Sequence, residues 1–314
     1  MSDEKKGQLT DPSAGSRRSA IHDQPSALRV DHVSVAVRDI DTALAFFRRC
    51  LPVEMRREKR LGHTGDFNWC DFYIGAFKLE LIEAVGADSF VTRFIDKRGE
   101  GLHHLSIEVA ELEPMLRRLE GDGLRIVDRY VGRDGNTSAF ISPRSAHGVL
   151  VQFWQVPQLA EPQRPPGGEL MLRNGETVQV RVDHVSMAVR SIETTLDFYR
   201  RYFPVRQQHP THNGYDGNFA LTSFLLNGYK IELIEEIAGR SGFVSRFLDK
   251  RGEGFHHISI DVDRLDPLLA QLVEDGVRIV DRFDFSDELK TAFISPRSAH
   301  GVLMQFWQQP WRKV

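Results

Sequence analysis

The sequence predicts an α+β protein of two tandem domains, each made of two βαβββ modules. Three observations carry that prediction. The chain repeats itself: VDHVSVAV at Val30 recurs as VDHVSMAV at Val182, KLELIE at Lys78 as KIELIE at Lys230, and AFISPRSAHGVL at Ala139 returns unchanged at Ala292. Within each copy, strand-like and helix-like patterns follow one another in a single order, run through twice. Between the copies, PQLAEPQRPPGGE is rich in proline and glycine and breaks all periodicity, as an exposed linker does.

These boundaries give a tail over 1–27, a first domain over 28–157, a linker over 158–177 and a second domain over 178–310. The tail is polar and lacks an apolar core that could act as a signal peptide, so a disordered segment and a cytoplasmic protein are expected. In the first copy RVDHVSVAV reads as a strand. DIDTALAFFRRCL follows as a helix capped by Asp39 or Asp41, with an apolar stripe at Ala43, Leu44, Phe47 and Leu51. PVEMRREKR, FNWCDFYIG and FKLELIEA then read as strands. After RFIDKRGEG, whose DKRGEG reads as a surface loop carrying Lys97, Arg98 and Glu100, the order restarts: strand LHHLSIEV, helix LEPMLRRLEGDG, then RIVDRYV, TSAFISP and GVLVQFWQ. With 314 residues, 41% hydrophobic, the chain is long enough to bury two cores. A net charge of -3 with no long basic run gives no attraction to nucleic acid or an anionic membrane, so the expected partner is a small-molecule substrate. Cys50 and Cys70 are matched by Tyr202 and Thr222 in the second copy, which suits packing thiols rather than a repeated disulfide or thiol site.

Strand parity then sorts side chains by face. Val33, Val35 and Val37 form the apolar set expected beneath a helix, leaving His32 on the open face; Leu79 and Leu81 do the same for Glu80, and Val151 and Phe153 for Gln152. In LHHLSIEV the apolar set is Leu105, Ile107 and Val109, so His104 lies on the face away from the helix and His103 is expected on the helix side. A single such residue on an open strand face is ordinarily just solvated. Here His32, Glu80, His104 and Gln152 share a face on four strands and return as His184, Glu232, His257 and Gln305. Two imidazoles, a carboxylate and an amide oxygen suit a divalent ion such as Co, Mn, Ni, Fe or Zn, one per domain, with room for two further ligands.

With these motifs the chain resembles the vicinal oxygen chelate superfamily, which implies paired βαβββ modules forming a cupped mixed sheet around a divalent metal. DHVSVAV, LELIE, KRGEGLHHLSIEV and ISPRSAHGVLVQ resemble the methylmalonyl-CoA epimerases most closely, over roughly 28–156 and 180–309. The resemblance implies metal ligands at His32, Glu80, His104 and Gln152, and at His184, Glu232, His257 and Gln305. It departs at the last strand, where the family usually has Glu and this chain has Gln, which leaves the identity of the catalytic base open. The tandem arrangement also departs: it looks like an epimerase dimer fused into one polypeptide, as in the 2-epi-5-epi-valiolone epimerases, and implies a monomeric pseudo-dimer or a homodimer.

The resemblance implies epimerisation at a carbon next to a carbonyl, through a metal-stabilised enolate, on a cyclitol ketone or an acyl-CoA thioester. Candidate bases are Glu80 and Glu232, with His147 and His300 of PRSAHG as further candidates or as turn residues. Arg144 and Arg297 would hold a phosphate, carboxylate or CoA group, or close the turn. His63 and Asp66 lie in a loop facing the cup but are Tyr215 and Asn218 in the second copy, so no shared role follows. Phe153 and Trp154, with Phe306 and Trp307, read as packing and cavity lining. The rival readings are an Fe(II) dioxygenase, weakened by Gln in the last strand, a glyoxalase-type isomerase, and a drug-binding resistance protein.

Overall fold

The computed structural model describes residues 28–132, 137–157, 159 and 164–311. The tail expected over 1–27 and part of the linker lie outside the described residues. The first domain runs β1 (Leu28–Val37), α1 (Ile40–Cys50), β2 (Glu54–Leu61), β3 (Phe67–Ile74), β4 (Phe77–Ala84), α2 (Phe90–Arg98), β5 (Gly101–Val109), α3 (Leu112–Gly121), β6 (Ile126–Val131), β7 (Thr137–Ile141) and β8 (Leu150–Gln155). Its eight strands form one sheet in the order β2-β3-β4-β1-β5-β8-β7-β6. β1 and β5, the leading strands of the two modules, meet antiparallel at the centre, and each pairs in parallel with the closing strand of its own module.

The second domain runs β9 (Gly168–Met171), β10 (Thr177–Val189), α4 (Ile192–Tyr202), β11 (Val205–Gln207), β12 (His212–Asn213), β13 (Phe219–Leu226), β14 (Tyr229–Glu236), α5 (Phe243–Arg251), β15 (Gly254–Val262), α6 (Leu265–Glu274), β16 (Ile279–Asp284), β17 (Lys290–Ile294) and β18 (Met304–Gln308). It repeats the sheet order and adds β12 against β13 and β9 against β10. β9 falls inside the stretch read as linker. Gly175, at φ 84, closes its turn onto β10, and the turn is short enough for the strand to fold straight back.

The helix positions follow from local chemistry. Asp39 caps α1 by accepting from the Thr42 backbone N–H at 2.7 Å, and the helix buries Ile40, Ala43, Leu44, Phe46, Phe47 and Cys50. α3 buries Leu112, Met115, Leu116 and Leu119. Both stripes meet Val33, Val35, Leu105, Ile107, Val151 and Phe153 in one apolar core that continues through both domains. α2 was not foreseen. It packs Val91 and Ile95 on Ala36 and Ile82, which share the face of His32 and Glu80, so it covers one end of the cup. RFIDKR is thus helix up to Arg98, and Gly99, at φ 78, ends it where the left-handed backbone favours glycine.

The domains meet along a pseudo-twofold junction. Gly148 and Gly301 sit at φ 80 and 79, and a Cβ on either would overlap the carbonyl oxygen of Glu253 or Glu100 in the opposite domain. Phe153 stacks on Phe203, and Asp122 accepts from Arg201 at 2.7 Å and Tyr202 at 3.0 Å. Cys50 and Cys70 are buried free thiols. No helix among the described residues is long and apolar enough to cross a membrane.

Candidate metal centre

Two β-bulges build each site. Between β1 and β5 the register passes from Val30↔Ile107 to His32↔Ser106, leaving Asp31 as an extra residue, and from Ser34↔His104 to Val35↔Leu102, leaving His103 as another. The second domain bulges identically at Asp183 and His256. A bulge re-aims the side chains beside it. Here each extra residue turns to the ring that follows it. Asp31 Oδ2 lies 2.7 Å from His32 Nδ1, and His103 Nδ1 lies 2.8 Å from His104 Nδ1. Asp183 and His256 repeat both contacts, at 2.7 and 2.8 Å.

This corrects the expected place of His103. The bulge takes it out of the alternation, and its ring packs on Phe90 and Phe94 of the cup-side helix α2, with centroids 5.7 and 4.7 Å away. His256 does the same against Phe243 and Phe247. The repeated doublets Asp-His and His-His were the available signal for these orienting partners, one placed directly before each imidazole.

With Nδ1 engaged, Nε2 of each ring points inward. His32 Nε2 is 3.3 Å from His104 Nε2 and 3.4 Å from Glu80 Oε2, and His104 Nε2 is 3.7 Å from the same oxygen. In the second domain His184 Nε2 and His257 Nε2 are 3.5 and 3.9 Å from Glu232 Oε1, which also accepts from Ser186 at 2.9 Å. Each trio offers three ligand atoms within 4.8 Å of one another. Gln152 and Gln305 stand beside the trios on the closing strands, paired with Ser106 and Ser259, and Gln305 donates its amide N–H to Thr291 at 3.1 Å, which leaves the amide oxygen for the cluster.

Burial disfavours charge here, yet Glu80 and Asp31 outweigh it and raise His32 to about 9, while burial of Glu80 is overcome by His32 and His104, which bring it down to about 2. His184 and Glu232 behave alike, at about 9 and about 2. Burial lowers His103 and His256 to about 4, so both are neutral and able to accept a hydrogen bond. The donor set fits a divalent ion on one direct observation: Nε2 of His184 and of His257 are buried without a hydrogen-bond partner. A buried imidazole nitrogen with no partner is costly, and a cation supplies one.

The remaining expected site residues are not brought to these clusters. His147 Nδ1 lies 3.1 Å from Thr195 Oγ1 and 3.7 Å from Glu253, with its ring on Phe198. His300 lies 3.4 Å from Glu100, with its ring on Phe46. Both therefore make contacts across the domain junction. Arg144 and Arg297 are exposed on their turns, each turn being held by the backbone N–H of the arginine to Ser142 or Ser295. His63 does reach the cup rim, 3.9 Å from the Tyr130 ring centroid.

Comparison with known proteins agrees with this architecture. The family model of the Glyoxalase/Bleomycin resistance protein/Dioxygenase superfamily matches twice, over residues 31–140 and 183–293. The chain belongs to that superfamily. It is 32% identical over 130 residues to a mitochondrial methylmalonyl-CoA epimerase of Bos taurus, covering 40% of this chain and 74% of the relative. An ethylmalonyl-CoA/methylmalonyl-CoA epimerase of Cereibacter sphaeroides is 30% identical over 135 residues, covering 41% of this chain and 98% of the relative. Each relative thus corresponds to one domain. A solved mutant of 4-hydroxymandelate synthase from Streptomyces coelicolor shares the fold over 92% of this chain and 95% of its own, with a TM-score of 0.62 at 17% identity.

Proposed function

We propose that the protein is a divalent-metal-dependent epimerase acting at a carbon next to a carbonyl, on an acyl-CoA thioester of the methylmalonyl type or a cyclitol ketone, with one site in each domain. The observation that carries this is the inward-facing His–Glu–His trio in both domains, with the amide of Gln152 or Gln305 beside it. Support also comes from the epimerases among the relatives. An ion held by His32, Glu80 and His104 would neutralise charge developing on the substrate carbonyl oxygen.

The chain's own groups supply the rest. Asp31 and His103 hold the two imidazoles in the tautomer that frees Nε2. Burial at the cup floor excludes water from the reacting carbon, and α2 closes one end. Glu80 and Glu232 are the carboxylates at the cluster, each kept ionised by its paired histidine, and are the groups assigned to move the proton. His147 and His300, given their place at the junction, are not.

Incubation of the metal-loaded chain in D₂O with 2-methylmalonyl thioesters and hydroxylated cyclic ketones, followed by NMR, tests the reading. Deuterium entering at the carbon next to the carbonyl is the expected result; no exchange with any of these substrates rejects it. Two histidines and one carboxylate also match the oxygen-activating arrangement of iron dioxygenases. Exchange that persists without oxygen excludes that second reading.

A further inference from the structure

The two trios are alike, but the cups around them are not. In the first domain one row of paired positions crosses the sheet as Arg57, Asp71, Glu80, Ser34 and His104. Neighbouring strands are about 4.8 Å apart, so Arg57 stands two strands, or roughly 10 Å, from the trio's carboxylate. Asp71 is only 1% exposed; its Oδ2 holds Arg56 at 3.1 Å, Arg57 at 3.2 Å and Lys78 at 3.5 Å, and its Oδ1 has no partner. Beside the row, Trp69 pairs with Ile82 on the same face and carries the guanidiniums of Arg57 and Arg60, at 5.3 and 5.6 Å from its ring.

In the second domain the same row reads Ser223, Glu232, Ser186 and His257, and His209 occupies the place of Arg57, its Nε2 at 3.0 Å from Ser223 Oγ. Gln208, His212 and Leu221 replace Arg56, Arg60 and Trp69. Three guanidiniums against one carboxylate have become a set with no fixed charge. The rim changes in parallel. Tyr215 meets Phe283 and Phe285 at 5.1 and 6.0 Å, and Phe285 meets Trp307 at 5.9 Å, where the first domain has His63, Tyr130 and Trp154.

We infer that the two cups select different substrates: the first takes one with an anionic group beyond its carbonyl, received by Arg57 and Arg60 at Trp69, and the second takes an uncharged one beneath an aromatic rim. The inference rests on the proposed metal site and adds what that site discriminates. Guanidiniums partly neutralised by one carboxylate still favour a carboxylate or phosphate, and Trp69 holds them in place. An aromatic rim offers apolar area and no compensating charge.

The test compares two acids that share the chelating head and differ only at the far end, 2-oxoglutarate and 2-oxopentanoate. Their binding is measured by calorimetry on the Co²⁺-loaded chain, with His257→Ala leaving only the first trio intact and His104→Ala only the second. The first variant is expected to prefer 2-oxoglutarate by tenfold or more, the second to show no such preference, and Arg57→Gln with Arg60→Gln to abolish the preference at unchanged metal content. Equal preference in the two single-site variants, or no binding by either, overturns the inference. Deuterium exchange is read separately: its absence alongside a clear difference in preference rejects the epimerase reading and leaves the selectivity standing.

Discussion

An imidazole that donates Nε2 to a cation must carry its proton on Nδ1, and something must receive that proton. Asp31 does so for His32, and neutral His103 does so for His104. His103→Phe keeps the ring packed on Phe90 and Phe94 but removes the acceptor. First-domain metal affinity is expected to fall about 10–100-fold, with the second domain unaffected, as read by competition with a chromophoric chelator; His103→Asn, which keeps an acceptor, should recover part of the loss. A pH dependence follows at the same scale. His32 rises from 6.5 to about 9, so its contribution to the metal-free fold is complete below 6.5 and is lost as pH climbs through 9. Glu80 falls from 4.5 to about 2, so its contribution is complete above 4.5 and is lost as pH drops through 2. The metal-free chain is therefore expected to gain most from this pair between pH 4.5 and 6.5. A metal must displace the His32 proton, so apparent affinity should rise by about tenfold per pH unit on the acid side of 9. Denaturant midpoints and metal titrations across pH check the two opposite trends.

Among the elements, β1, β4, β5 and β8 were legible because Val33 and Val35, Leu79 and Leu81, Leu105 and Ile107, and Val151 and Phe153 alternate cleanly, and that alternation put His32, Glu80, His104 and Gln152 on one face. It failed at His103 because a bulge inserts one residue without changing composition, and a period of two carries no mark of the insertion. α2 was hidden for a different reason: nine residues with only Val91 and Ile95 fully buried show little periodicity, and one of their partners, Ala36, lies more than fifty residues away in sequence. Its N-cap is local. The Ser89 hydroxyl accepts from the Val91 backbone N–H at 3.1 Å and is itself buried. Ser89→Ala is expected to cost the first domain about 1 kcal/mol, read as a lower urea midpoint, and to loosen the helix against His103. α5 has Gly242 at the same place and no side-chain cap, so the second domain already lacks this contribution.

For the whole molecule, the unchanged repeat AFISPRSAHGVL has a use that no single domain reveals. His147 and His300 cross to Glu253 and Glu100, and Gly148 and Gly301 let the same backbones touch, so the motif works twice about one pseudo-twofold axis. Those contacts span more than a hundred residues of sequence, which is why a reading within one domain could only weigh base against turn. Between the domains lies a cavity of about 230 Å³ bordered by His103 and His256, so the orienting partners of both trios share one wall with the junction. Gly148→Ala tests how firmly that junction holds. Alanine in the left-handed region costs roughly 1–2 kcal/mol anywhere, and Gly123, at φ 81 with open space around its Cα, supplies that baseline as Gly123→Ala. At Gly148 the new methyl also meets the Glu253 carbonyl. Gly148→Ala is therefore expected to lose clearly more stability than Gly123→Ala and to split a single calorimetric transition into two as the domains part. Equal losses with one transition in both variants would mean that the close approach at Gly148 contributes nothing to holding the domains together.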